Sequence, residues 1–315
     1  MIIYPTLYIM VGIPGSGKST AAKNYSEMYK AIIFSSDEYR KKLLGNELDQ
    51  SNNNLIFKTL YADIADNLRI GNNCILDATN INTKDRKKAF DSIDGILRNK
   101  FNFKYGFPYR KIAIVCLAGV SICIERDSKR ERSVGEKVIK KFISKFEYPQ
   151  VFEGFDDIYN VVDINTYGYY DRAEFFSRMS GFNQNSKYHK YDLLTHSLLL
   201  AESFDDDVRR EAGLFHDIGK TCTETRDEEG YSHYYQHANW SAYLVACNMG
   251  ILKQRFSISA RDIIFYINQH MHIRDIIKSE KATEKYKKLW GEQRFNSLVE
   301  FMKADNKASG RDYNE

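Results

Sequence analysis

Histidine is missing from the first 188 residues of this 315-residue chain; all seven (His189, His196, His216, His233, His237, His270, His272) follow. Any imidazole chemistry therefore belongs to the C-terminal half. Cysteine is scarce and scattered. Cys74, Cys116, Cys123, Cys222 and Cys247 are odd in number and form no C-x-x-C, which argues against a disulfide framework and a thiolate zinc site. They are expected as small buried apolar residues in a reducing compartment. No apolar run approaches the roughly 18 residues that span a bilayer, and the apolar N-terminus has no basic leader. Neither a membrane segment nor a signal peptide is expected, and the expected location is cytoplasmic.

What is present is ordinary for a globular protein: 43% hydrophobic and 28% charged residues, over a length that suits two domains with separate cores. Charge divides them. Residues 1–166 carry 25 Lys and Arg against 20 Asp and Glu, and the remainder 21 against 22. Much of the excess lies between Arg126 and Lys145, where eight basic residues stand against three acidic ones. Such a run is most often a solvated helix face; a phosphate-rich substrate is the sharper reading.

Gly12-Ile-Pro-Gly-Ser-Gly-Lys-Ser19 fits G-x-x-x-x-G-K-[ST] in full, after the apolar run Leu7–Val11 and before a helix start at Ser19-Thr20. Strand, loop and helix in this order form a phosphate cradle. Gly12, Gly15 and Gly17 let the backbone around Ser16 turn its amides onto an anion, and the helix N-terminus adds its dipole. Lys18 is expected on the β/γ-phosphates of ATP and the Ser19 hydroxyl on Mg²⁺. Further strand patterns at Ala31–Phe34, Cys74–Asp77, Lys111–Leu117 and Ile158–Ile164 alternate with helical ones, predicting an α/β P-loop fold with a parallel sheet.

Residues just past the carboxyl ends of parallel strands face the ligand crevice. That puts Asp37, Arg40 and Asp77 in view. Phosphoryl transfer needs an oriented acceptor, a group to take its proton, and cations on the phosphate. Asp37 is the candidate base, with a helix N-cap as its plain structural alternative. Arg126 and Arg130, four apart on a predicted helix, are candidates for a lid over the phosphates.

The runs G-I-P-G-S-G-K-S, S-S-D-E-Y-R, I-L-D-A-T-N, I-E-R-D-S-K-R and F-E-Y-P together resemble the 5′-polynucleotide kinase domain of phage and bacterial end-healing enzymes, over about residues 5–165. The resemblance implies Asp37 as general base, Arg40 on the acceptor strand's phosphate, Asp77 on the substrate side, and Arg126 and Arg130 as lid arginines. The phosphatase motif D-x-D-x-T that often accompanies such kinases is missing; Asp163-Ile-Asn-Thr166 lacks the second aspartate.

The C-terminal half reads as helical over Tyr191–Glu202, Asp206–Gly219, Ala238–Met249, Ala260–Met271 and Phe295–Asp305. Imidazoles and carboxylates converging from several helices suit transition-metal ions, Mg²⁺ or Mn²⁺. A carboxylate next to a histidine, as in His216-Asp217, can bridge two ions that together activate a water and clamp a phosphate. The pattern H…HD…H…H…D resembles HD-type metal phosphohydrolases over about residues 180–315. Asn185–Asp192 with His196 is similar to the HD domains appended to tRNA nucleotidyltransferases. The resemblance implies His196, His216, Asp217 and Asp305 on one metal, and His237 and His270 completing a second with Asp217 shared. Lys220 is expected to neutralise phosphate, and His189, His233 and His272 to be ordinary satisfied core histidines.

The two resemblances predict a kinase domain over 1–166 and an all-α HD-type domain over 167–315. Joined, they imply an enzyme that phosphorylates a 5′-OH end with ATP and removes a 2′,3′-cyclic phosphate or 3′-phosphate with Mn²⁺, Ni²⁺ or Co²⁺. The expected partner is nucleic acid, RNA favoured; with no K-x-D-G element, sealing is left to a separate RNA ligase. The rival reading is a small-molecule kinase fused to a nucleotide hydrolase, which calls for a closed acceptor pocket at Asp37.

Overall fold

A computed structural model describes residues 4–47, 49–102, 107–163, 172–186, 189–248 and 260–310. The chain divides into two compact units, Met1–Ile139 with Pro149–Asp163, and Lys140–Tyr148 with Ile164–Glu315.

The first unit holds a five-stranded parallel sheet of β1 (Thr6–Val11), β2 (Ile32–Ser35), β3 (Cys74–Asp77), β4 (Arg110–Leu117) and β5 (Asp157–Val162), in the order β2-β3-β1-β4-β5. β1 lies at the centre and every one of its residues is buried. This is why it reads as an unbroken apolar run rather than an alternating one. Helices α1 (Lys18–Tyr29), α2 (Ser36–Leu44), α3 (Asn53–Arg69), α4 (Thr83–Phe101) and α5 (Val120–Ser128) complete its main framework. Ala21 and Ala22 of α1 pack on Tyr8, Met10, Ile112, Ile114 and Cys116. That contact holds the loop before α1 rigidly at the carboxyl edge of β1. Arg86 is fully buried and makes a two-pronged ion pair with Glu153, at 2.7 and 2.8 Å. It also donates to the Asn80 carbonyl at 3.0 Å and so ties the exit of β3 to α4.

The second unit is a helical assembly, with helices Arg172–Met179, Leu193–Glu202, Asp207–Phe215, Lys220–Thr223, His237–Cys247, Ala260–Gln269, His272–Ile276, Glu280–Trp290 and Glu292–Ala308. Between the fourth and fifth lies an antiparallel hairpin, β6 (Glu224–Arg226) and β7 (Ser232–Tyr234), that the sequence pattern does not foretell. Asp192 and Asp206 cap their helices through the amides of Thr195 and Arg209, at 2.7 and 2.9 Å. Residues 140–148 belong with this unit although the predicted boundary is near residue 166. Asn268 accepts from the Tyr148 amide at 3.0 Å and donates to the Phe146 carbonyl at 3.2 Å. Trp240 donates to the Ser144 hydroxyl at 3.0 Å.

Candidate functional site

In the first unit the loop after β1 turns as the glycine spacing requires. Gly15 has φ +80°, and a Cβ on it would come within 2.4 Å of the Cys123 carbonyl, so only glycine fits there. The Gly12 amide donates to the Thr79 carbonyl at 3.1 Å, pinning the loop to the end of β3. Lys18 Nζ donates back to the Ile13 carbonyl at 2.9 Å, and burial lowers its pKa while Asp77 opposes that shift. The Ser16 hydroxyl is buried without a hydrogen-bond partner. A hydroxyl in that state at the mouth of an amide-lined loop fits an incoming phosphate oxygen. Ser19, with Thr20 in the first turn of α1, donates to Asp77 Oδ2 at 3.1 Å. Burial raises the Asp77 carboxyl, against the pull of Lys18 and Ser19. The Ser19–Asp77 pair is the donor set that a Mg²⁺ beside a P-loop takes, so Asp77 suits the metal side at least as well as the acceptor side.

Asp37 lies in the first turn of α2, but Ser35 caps that helix, accepting from the Glu38 amide. The N-cap alternative for Asp37 is thereby removed. Arg40 is buried, donates to Asp37 at 2.6 Å and to Asn53 at 3.2 Å, and so holds the carboxylate from behind; the Asp37 side chain is 71% exposed. The predicted helical pairing of Arg126 with Arg130 does not form. α5 stops at Ser128 because buried Asp127 accepts from the Ser133 hydroxyl and the Val134 and Gly135 amides, at 2.6, 3.2 and 2.9 Å, folding the chain back. Arg130 lies past the helix end, exposed but near enough to Lys18 to lower its pKa. Arg126 is paired with Asp163 at 2.5 Å, while the rest of the D-x-D-x-T near miss, 164–166, falls outside the described residues.

In the second unit the predicted residues come together. His196 and His216 approach through their Nε2 atoms at 3.2 Å, and Asp305 Oδ1 lies 3.1 and 3.4 Å from these two atoms. Asp217 Oδ2 lies 3.2 Å from His216 Nε2 and 3.6 Å from His196 Nε2. Its other oxygen, Oδ1, lies 3.0 Å from His237 Nε2 and 3.5 Å from His270 Nε2, themselves 3.2 Å apart. His196, His216, Asp217, His237, His270 and Asp305 are all buried. The helix expected over Asp206–Gly219 ends early, at Phe215, one residue before His216. The pair sits in the following turn, and this lets one carboxylate face both imidazole pairs. Gly219 makes that turn possible: a Cβ there would lie 2.2 Å from the His237 carbonyl.

Three of the rings are fixed from behind. Nδ1 of His216, His237 and His270 faces the carbonyl three residues earlier, of Gly213, Tyr234 and Ile267, at 2.9, 2.7 and 2.8 Å. With each Nδ1 turned outward to a carbonyl, each Nε2 faces the centre, where a bound ion would displace any proton it carries. Burial works against charge on His216, yet Asp217 and Asp305 outweigh it and lift the imidazole to about 10. Burial leaves His270 at about 4. Asp217 and Asp305 stay well below the carboxylate range despite burial, held by the surrounding imidazoles. The centre therefore draws positive charge, and Asp217 Oδ1 has no aligned hydrogen-bond donor to satisfy it. His196, His216 and Asp217 form one group able to hold a metal ion, and Asp217, His237 and His270 a second. The donor set fits divalent transition ions.

Three neighbours of this cluster are illegible in the sequence. Lys220 Nζ contacts Asp217 Oδ2, Gln184 Oε1 and His189 Nε2 at 2.6, 2.7 and 3.2 Å, which uses all three ammonium positions. Gln184 and His189 thus belong to the site, and burial with Lys220 pushes the His189 imidazole down to about 3. Arg274 donates to the outer oxygen of Asp305 at 2.7 Å.

The sheet order, the turned glycine loop and Lys18 with Ser19 define the first unit as an α/β P-loop fold. Residues 7–149 match a family described as an AAA domain. Among solved structures, a fungal RNA kinase matches with 15% identity over 51% of this chain and 38% of its own, with a TM-score of 0.40. The Pnkp1/Rnl/Hen1 RNA repair complex matches with 22% identity over 46% and 45%, with a TM-score of 0.37. A gluconokinase from Sinorhizobium meliloti 1021 matches with 16% identity over 51% and 83%, with a TM-score of 0.33. The chain spans less than half the length of the first two.

Proposed function

We propose that this chain is a bifunctional nucleic-acid end-healing enzyme: an ATP-dependent 5′-hydroxyl kinase in the first unit and a metal-dependent phosphohydrolase, acting on 2′,3′-cyclic phosphate or 3′-phosphate ends, in the second. The observation that carries the hydrolase half is Asp217, a buried carboxylate with one oxygen on each of two imidazole pairs. Two divalent ions held so would lower the pKa of a water and clamp a phosphate. His196, His216, Asp217 and Asp305 would hold one, and Asp217, His237 and His270 the other. Lys220 and Arg274 then act from the next layer, balancing Asp217 and Asp305 rather than touching phosphate.

In the kinase half Lys18 would bind the β/γ-phosphates, the amides of Gly17 to Thr20 would cradle them, and Ser19 with Asp77 would take Mg²⁺. When bound, ATP would supply the phosphoryl group and Mg²⁺ would offset the charge that develops on it. Asp37, steered by Arg40, orients the acceptor hydroxyl and takes its proton. Arg130 lies on the phosphate side and Arg126 stands over the exit of β5. The high exposure of Asp37 supports a polynucleotide acceptor, since the small-molecule reading needs that carboxylate inside a closed pocket.

The test offers radiolabelled ATP with 5′-OH RNA, 5′-OH DNA, a nucleoside and a sugar, with Asp37→Asn as control. Transfer to an oligonucleotide that falls with the substitution supports the kinase reading; transfer only to a small molecule overturns its polynucleotide part. The second unit is tested on RNA ending in a 2′,3′-cyclic phosphate with Mn²⁺, Ni²⁺ or Co²⁺. Turnover that survives Asp217→Ala overturns the hydrolase reading.

A further inference from the structure

The hairpin ahead of His237 carries an aromatic surface that neither half of this reading uses. Tyr235, just after β7, is 70% exposed, as much as any large apolar side chain among the described residues. Its ring lies nearly parallel to that of His233, with 9° between the planes and 5.8 Å between centroids. His233 is itself held: its Nε2 lies 2.8 Å from Asp227 Oδ2, and Asp227 is fixed by the Tyr231 amide at 2.9 Å.

Strand alternation explains the sidedness. Tyr234, between the two rings, turns inward; its hydroxyl donates to the Gln184 carbonyl at 2.8 Å, and Lys220 Nζ lies 5.6 Å from its ring centre. Gln236 then takes a left-handed backbone conformation, φ +61°, which is strained for a residue with a side chain. It throws Tyr235 into solvent and starts the helix on which His237 enters the Asp217 cluster. One short stretch of chain thus joins a held imidazole and an exposed phenol ring to a candidate metal ligand two residues past that phenol.

We propose that His233 and Tyr235 form a stacking platform for the unpaired nucleobase of the phosphoester processed at the Asp217 cluster. The platform sets the preference for nucleotide over other phosphoesters, and this rests on the hydrolase reading of the second unit. Every nucleobase has a π-face, so such a platform selects a base without selecting its sequence.

Two measurements on the full-length protein test it. With Mn²⁺ present, KM and kcat are compared for RNA ending in a 2′,3′-cyclic phosphate and for glycerol cyclic phosphate, which has no base. Tyr235→Ala is expected to raise the KM for the RNA roughly tenfold relative to the base-free ester, with kcat little changed and Tyr235→Trp restoring it. Separately, a 5′-phosphorylated oligonucleotide ending in 2-aminopurine is titrated with metal-free protein; quenching by the wild type that Tyr235→Ala abolishes supports stacking. An equal effect of Tyr235→Ala on both esters, or no quenching by the wild type, overturns the platform. Failure of the wild type to hydrolyse either ester overturns the hydrolase reading instead, while the fluorescence result still decides whether a base stacks there.

Discussion

The two units hold their candidate chemistry in opposite ways. In the first, one contiguous loop from Gly12 to Ser19 supplies most of the candidate phosphate-binding groups, many of them from backbone, and its shape depends on neighbours such as Thr79 and Cys123. In the second, the side chains come from five separate places between His196 and Asp305, and only packing brings them together. A backbone site is robust to most side-chain changes outside its glycines and Lys18. A convergent site is fragile at its shared member, because Asp217 serves both imidazole pairs at once.

The sharpest way to break this contrast is Asp217→Ala. It removes the group common to both pairs and leaves buried imidazoles facing one another. Metal binding and hydrolysis by the second unit are expected to fall below detection, while ATP-dependent phosphorylation continues unchanged. Joint loss of both activities would mean that the sites are not separable. Next in size, Asp37→Asn is expected to slow phosphorylation by roughly 10²–10⁴-fold, the range of a lost general base, with metal content unaffected. Arg274→Gln touches no ligand nitrogen but frees the outer oxygen of Asp305. Metal affinity, read by competition with a chelator, is expected to fall about 10–100-fold; an unchanged affinity would reduce Arg274 to a surface ion pair.

The smallest effect concerns pH. His189 has its pKa lowered from 6.5 to about 3 in the folded state by burial and by Lys220. Between those values the unfolded chain binds the proton and the folded chain does not, so acidification favours unfolding; above 6.5 neither form is protonated and the full stability is present. Melting curves from pH 7 to 4 should therefore decline more steeply for the wild type than for His189→Gln. Parallel declines would remove His189 from the buried network around Lys220.

Much of both sites is legible in the sequence, and the misses have physical causes. The phosphate loop can be read because its geometry is set by the φ values and close approaches that only glycine permits, and these follow residue order. His196, His216, Asp217, His237, His270 and Asp305 can be named from the H…HD…H…H…D pattern and the resemblance it carries. Their mutual distances cannot, since these depend on how the helices pack. Gln184 and Arg274 carry no local signal at all, and His189, though inside the stretch Asn185–Asp192 that resembles an HD domain, is passed over there as an ordinary core histidine. They join the cluster through contacts across 36, 31 and 31 positions of chain, to Lys220 and Asp305. Arg130 misses its expected helix because the hydrogen bonds of Asp127 end α5 early. Residues 140–148 join the second unit through Asn268 and Trp240, partners that no window of local sequence contains.

The central claim is that Asp217 bridges two ions in the second unit. Calorimetric titration of nucleotide-free, full-length protein with Mn²⁺ tests it most directly. Two ions per chain are predicted for the wild type, one when His237 and His270 are both replaced by Ala, and none for Asp217→Ala. Binding by the wild type that Asp217→Ala leaves intact, or the absence of any binding, would contradict it.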